Sequence, residues 1–262
     1  MMCRQKLLCT INREISEHTN IPHALLYKYP LPLHFCIRTN LSLGDIMLEK
    51  MDVFFENRVS DYDEHMLTTI EGAEEFYKYT ATLLPQEVGT EVLDLGCGTG
   101  LELEEYFSLN PDAHITGIDL SKAMLEMLAA KFPDRNLNLI CDSYFEVDFG
   151  IEKFNAAVSV ESLHHFTSER KLLLYRKLLR SLRVNGYFVL TDYFAESEAL
   201  EKEYFETLAR LKQEQGVFDD EFYHYDTPLT VTHEIETLRK AGFSDVRILK
   251  NWEVTYTLLA KR

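Results

Sequence analysis

The chain has 262 residues, 46% of them hydrophobic and 27% charged, with 11 Gly and 7 Pro, which excludes collagen-like, low-complexity and wholly disordered chains. No apolar run approaches the ~18 residues that cross a bilayer, and the first thirty residues lack the apolar core of a secretory signal, so no membrane span and a cytoplasmic location are expected. Lys plus Arg total 27 against 43 Asp plus Glu, a net charge of −16 that repels a phosphate backbone and argues against nucleic acid as a partner.

Residues 1–46 hold Cys3, Cys9 and Cys36 and are weakly periodic, while Met47 and Met51 stand just before the patterned run Asp52-Val53-Phe54-Phe55. They read as an N-terminal extension or a mis-called start. With Cys97 and Cys141 the cysteines are scattered, without CxxC or a Cys/His cluster at zinc spacing, so reduced thiols and no metal site are expected. From 52 onward helical and strand patterns alternate, which predicts a parallel sheet covered on both faces. Two amphipathic stretches, 58–70 and 72–84, come first. A buried strand over 91–95 ends in Gly96-Cys97-Gly98-Thr99-Gly100, and a helix over 101–109 follows. A strand over 113–119, a helix over 122–132 capped by Ser121, and strands over 137–141 and 154–160 continue the pattern. A helix over 168–182, ending at Asn185-Gly186, leads to a strand over 187–191 and a helix over about 196–214. The aromatic-rich stretch 215–230 interrupts the alternation and reads as a lid or substrate insert. A helix over 232–241, capped by Gly242, and an antiparallel hairpin of 243–250 with 254–259 close the chain.

The glycine loop lets backbone approach a ligand at the carboxyl end of the sheet and implies a nucleotide-like ligand. Leu101 stands where a dinucleotide loop wants its third glycine. Asp94, two residues before Gly96, would face the pyrophosphate of NAD, whereas it attracts a ligand carrying an ammonium and a sulfonium. S-adenosylmethionine has both. Asp119, at the end of the next strand, is placed to accept from both ribose hydroxyls, and Asp142-Ser143 would edge the adenine.

With these residues the sequence resembles the class I S-adenosylmethionine-dependent methyltransferases, and Val158 to Phe166 is similar to the small-molecule branch that includes quinone-biosynthesis enzymes. The resemblance covers roughly 52–262. It implies an α/β, Rossmann-like, doubly wound sheet of order 3-2-1-4-5-7-6 with an antiparallel last strand, a helical cap over 47–85 and a methyltransferase domain over 86–262. It further implies that Asp94, Gly96, Cys97, Gly98, Thr99 and Gly100 surround the methionine moiety, that Leu120 and Met124 pack on the ligand's apolar faces, and that Tyr62 belongs to the cap.

Methyl transfer from a sulfonium asks mainly for alignment and exclusion of water, so few catalytic residues are obligatory. For a hydroxyl or acidic-carbon acceptor, His164 or His165 after the fourth strand is placed to act as the base, with Glu161 near the ligand. Asp192-Tyr193 ends the fifth strand. Phe218, Phe222, Tyr223, His224 and Tyr225 form an aromatic cluster suited to an apolar acceptor or to plain core. The basic helix with Arg170, Lys171, Arg176, Lys177, Arg180 and Arg183 is expected to be a solvated face. The expected function is methyl transfer to a small-molecule acceptor, with oligomeric state open, a homodimer included. An NAD(P)-dependent oxidoreductase and a non-catalytic S-adenosylmethionine-binding protein are the alternatives.

Overall fold

The apolar run before the glycine loop forms β1 (Glu91–Leu95), buried on both faces as the middle of a parallel sheet requires. The computed structural model describes residues 47–218 and 220–262, so the expected N-terminal extension, 1–46, lies outside the described residues. On one side β1 pairs in parallel with β2 (His114–Asp119), which pairs with β3 (Asn136–Cys141). On the other side it pairs with β4 (Phe154–Val160), and β4 with β5 (Leu182–Tyr193). β6 (Asp245–Trp252) and β7 (Thr255–Lys261) form an antiparallel hairpin, and β7 inserts beside β5. The seven strands run in the order β3-β2-β1-β4-β5-β7-β6, the order the resemblance implied. The chain reverses its direction across the sheet between β1 and β4, which opens a crevice at their carboxyl ends.

Alternating side chains feed two cores. Val92, Ala156, Val158 and Val189 face α3 (Ala73–Thr82), α4 (Leu101–Leu109) and α5 (Lys122–Lys131). Leu93, Leu95, Ala157, Phe188 and Leu190 face α6 (Ser168–Ser181) and α8 (Val231–Ala241). Ser121 caps α5 as expected, its Oγ accepting from the Met124 N–H at 3.2 Å. Helix α6 ends at Ser181, and β5 starts five residues earlier than expected because Leu182 already pairs with Phe154. Residues 183–186 then bulge from the ladder, with Asn185 at φ +66°.

Two lysines of α6 correct the expectation of a solvated basic face. Lys171 is buried and ion-pairs with Glu234 of α8, which also accepts from the Tyr175 hydroxyl. Lys177 donates to the carbonyls of Tyr144, Phe145 and Val147 at 2.6, 2.8 and 2.8 Å, oxygens that the turn after β3 leaves without strand partners. This lysine therefore fixes the position of Tyr144.

Helix α1 (Met51–Glu56), a 3-10 turn at Val59–Asp61 and α2 (Tyr62–Thr69) precede α3. Between α7 (Glu198–Glu214) and α8, the expected insert runs largely without helix or strand. It returns to α1: Met51 N–H donates to Phe222 O and His224 N–H to Glu49 O, both at 2.9 Å.

Candidate functional site

The glycine loop leaves β1 at the crevice. Gly96 has φ +73°, and a Cβ there would lie 2.0 Å from Ser162 Oγ, so the loop can approach β4's end only with glycine at this position. The Gly98 N–H donates to Asp119 Oδ2 at 2.9 Å, and the Ser121 N–H to Oδ1 at 2.8 Å. Each oxygen of Asp119 is thus held by one backbone donor and keeps lone pairs for a ligand. Burial raises the Asp119 carboxyl above its ordinary range, while the N–H donors of Ser121 and Gly98 work against that rise.

A cleft of about 500 Å³, its open mouth included, runs along these residues. Gly96, Gly98, Asp119, Leu120 and Met124 line it together with Tyr62 of α2 and with Glu161 and His165 beyond β4. The structure therefore brings together expected residues from both the donor and the acceptor side. Met51, Phe55, Tyr144 and Ser162 also line it and were not singled out in the sequence. Met51 and Phe55 stand four apart on α1, a spacing that could have found them, and Tyr144 and Ser162 adjoin residues that were. Glu56 was missed as well; its carboxylate accepts from the Ala123 N–H at 3.1 Å and so caps α5 from α1.

The remaining expected residues stand off the cleft wall. Asp94 is buried beside Glu102 of α4, and neither of its oxygens meets a protein donor. Burial, with the charge of Glu102 next to it, pushes its carboxyl well above the usual range. Direct contact of an Asp94 carboxylate with a ligand cation is not what the geometry gives. Cys97 is buried against Gly117, and burial raises its thiol. Thr99 donates to Asp63 of α2, which is ion-paired with Lys131 of α5. Gly100 opens α4. Asp142 is exposed and accepts from the Ser143 N–H at 2.7 Å, and Ser143 Oγ accepts from Phe145 N–H at 3.2 Å. Of the aromatic insert, Phe218 is exposed, whereas Phe222 packs on Phe145 and Phe166, and His224 stacks on Phe54 at 3.5 Å.

A charged cluster lies behind His165. His164 Nδ1 is 2.6 Å from Asp192 Oδ1, and its Nε2 is 3.5 Å from Asp226 Oδ1. His165 Nδ1 is 3.3 Å from the same Asp226 oxygen and 3.4 Å from Tyr225 O. Burial opposes charge on His164, yet Asp192 and Asp226 outweigh it and bring the imidazole up to about 10. His165 goes the other way: burial, then the charge of His164, hold it well below its ordinary value. Burial and the charge of Asp192 push Glu161 up to about 8. Glu161 also sits at φ +49°, a strained backbone for a non-glycine residue. The ring nitrogens and carboxylate oxygens of His164, His165 and Asp226 lie within 4.8 Å of one another, as do those of Glu161, His164 and Asp192.

Residues 92–186 match a protein family described as "Methyltransferase domain". A carboxy-S-adenosyl-L-methionine synthase of Helicobacter hepaticus is 27% identical over 182 residues, covering 65% of this chain and 75% of that protein. A tRNA (carboxymethyluridine(34)-5-O)-methyltransferase of Saccharomyces cerevisiae is 31% identical over 140 residues, covering 53% of this chain and 46% of that protein, less than half its length. The fold is similar to that of human N-acetylserotonin methyltransferase in complex with SAM, with a TM-score of 0.57 at 16% identity, over 97% of this chain and 65% of that one. The tRNA enzyme corrects the expectation that excluded nucleic acid as a partner. Net charge averages over the whole surface, whereas a nucleotide is held by a local site. Among the described residues no helix is long and apolar enough to cross a membrane. The domain matched over residues 92–186, the sheet order and the glycine loop at the crevice together support a class I S-adenosylmethionine-dependent methyltransferase.

Proposed function

We propose that this protein transfers a methyl group from S-adenosylmethionine to a small-molecule acceptor, with release of S-adenosylhomocysteine. One observation carries the reading: a single cleft is lined by Asp119 and the glycine loop and also by Glu161 and His165. The residues present fit the donor, since Asp119 is pre-set with one N–H on each oxygen and Gly96 and Gly98 bring backbone to the wall of the same cleft. When bound, S-adenosylmethionine supplies an electrophilic methyl on a sulfonium. In this reading Asp119 accepts from the ribose hydroxyls, Gly96 to Gly100 hold the methionine moiety, and Leu120 and Met124 flank the nucleoside. Asp142 and Ser143 edge the adenine, and Tyr62 covers the donor from α2.

On the acceptor side, His165 lines the cleft and is held neutral, so it is the histidine suited to take a proton from a hydroxyl or an acidic carbon. His164, buried and paired with two carboxylates, keeps its own protons. The division into an extension over 1–46, a cap over 47–85 and a domain over 86–262, with an insert near 215–230, is part of the same proposal. A cytoplasmic location goes with it, supported by the free thiols of Cys97 and Cys141. A second reading, methylation of an RNA nucleoside, is supported by the tRNA methyltransferase relative.

The test has two steps. Saturating S-adenosylhomocysteine at ~100 times its Kd should stabilise the fold by ~2.7 kcal/mol in a thermal shift, and NADH should not. The protein is then incubated with labelled S-adenosylmethionine and fractionated cell extract. Label in the low-molecular-weight fraction supports the proposal, label in RNA supports the second reading, and binding without any transfer marks a non-catalytic protein. Stabilisation by NADH alone would mark an oxidoreductase and sink both.

A further inference from the structure

We infer that Asp226, carried by the segment between α7 and α8, is a positioning residue that sets the tautomer of His165. In that arrangement Nδ1 bears the proton and Nε2 holds a lone pair for the cleft. The inference rests on the proposed methyl transfer and deepens its acceptor side.

The argument is one of donors and acceptors. His165 Nδ1 faces two oxygens, Asp226 Oδ1 at 3.3 Å and the Tyr225 carbonyl at 3.4 Å. The Tyr225 carbonyl can only accept, and so can an ionised Asp226, so a lone pair on Nδ1 would face like charge from both. The proton therefore belongs on Nδ1, and a neutral ring must leave its lone pair on Nε2. His164 meets a different set. Its Nδ1 is 2.6 Å from Asp192 and its Nε2 is 3.5 Å from Asp226, so both ring nitrogens face carboxylates and both carry protons. Asp192 is itself held by the Leu163 N–H at 2.9 Å, which keeps it in place as the anchor of His164. The charged His164 ring stands 4.0 Å from the His165 ring and opposes a second positive charge there. His224, with its ring 5.2 Å from that of His165, is the remaining titratable neighbour on the insert side, and Tyr193 packs on His164 at 4.5 Å. Asp226 is the one side chain of this group that touches both histidines. It helps keep His164 charged and it orients His165, whose neutrality comes from burial and from the charge of His164.

The experiment needs no acceptor. The full chain is labelled with ¹⁵N-histidine, and long-range ¹H–¹⁵N correlation spectra at pH 7 report each tautomer, with His165 assigned through His165→Gln. The expected result is a doubly protonated His164 and a neutral His165 protonated on Nδ1. Asp226→Ala should raise the Nε2–H population of His165 at least about tenfold, and Asp226→Glu should restore the wild-type pattern. S-adenosylhomocysteine affinity should stay within about twofold in both variants, because Asp226 lies off the cleft wall. A wild-type His165 protonated on Nε2, a pattern indifferent to Asp226→Ala, or a stoichiometric transition metal on the purified protein that is lost with Asp226→Ala would overturn the inference. Failure to bind S-adenosylhomocysteine at all would instead sink the methyl-transfer reading and leave the tautomer result standing.

Discussion

Asp119→Asn tests the residue proposed to hold the donor's ribose. In the wild type each carboxylate oxygen accepts one backbone N–H, from Gly98 at 2.9 Å and from Ser121 at 2.8 Å. An amide has only one oxygen. Whichever way it turns, its NH2 faces one of those two N–H groups, and that buried donor loses its partner. Leaving one such group unsatisfied costs ~1–3 kcal/mol. Burial already disfavours the Asp119 charge, and the neutral amide escapes that penalty, so the lower part of the range, ~1–2 kcal/mol, is expected. At roughly 2–4 °C per kcal/mol the melting temperature should fall by ~2–8 °C. Binding suffers more, since the ligand's two hydroxyls lose a charged acceptor and meet a donor. At ~1.5–3 kcal/mol per charged hydrogen bond, partly retained by the remaining oxygen, the loss is ~2–4 kcal/mol, or about 30- to 700-fold in Kd for S-adenosylhomocysteine. Isothermal titration calorimetry and thermal unfolding measure the two quantities separately. A variant that binds within about threefold of wild type and melts within about 1 °C of it would refute both the role of Asp119 and the accounting of its donors.

Gly96→Ala should cost at least ~2 kcal/mol in urea unfolding, from the clash with Ser162 and from φ +73°; adding Ser162→Gly should recover the clash and leave ~1–2 kcal/mol, and an unchanged single variant would contradict this. Lys171→Met should destabilise by ~3–5 kcal/mol because Glu234 keeps its burial and loses its cation, whereas the triple change Lys171→Met, Tyr175→Phe, Glu234→Leu should recover most of it; equal losses in both would count against the ion pair. For pH, the folded His164 titrates at about 10 against an unfolded value of 6.5, so its contribution is complete below pH 6.5 and is lost as pH rises towards 10. Glu161, raised to about 8 from 4.5, acts in the same direction at lower pH. Denaturation measured from pH 7 to 10 should show falling stability in the wild type and a flatter profile in His164→Gln; a wild-type profile that rises would rule the pairing out.

Much of the sheet was readable because buried parallel strands announce themselves as short apolar runs between breakers, and Phe154 to Val160 agrees with its expected span to the residue. The start of β5 was not readable. Its bulge over 183–186 follows from pairing with Phe154 and not from any period in its own residues. That Asp119 would stand against the loop glycines was legible because these residues are local to one β-α-β unit. Asp226 was not, since its neighbours come from β4, β5 and the insert, and only the folded chain brings those together. Lys171 and Lys177 misled for the opposite reason. A charge on an amphipathic helix reads as solvated unless its partner, here Glu234 or the carbonyls after β3, is already known.

The joint between residues 49–51 and 222–224 makes two remote stretches of chain a single cooperative unit. Besides these two backbone bonds His224 stacks on Phe54, so order in one stretch favours order in the other. Met51 and Phe55 line the cleft, and His224 and Asp226 stand beside the histidine at its edge. With the donor in this cleft as proposed, its occupancy is expected to tighten the wall on the acceptor side. The expected sign is positive coupling between the two ligands, visible as slowed hydrogen exchange at the Met51 and His224 amides when S-adenosylhomocysteine is added.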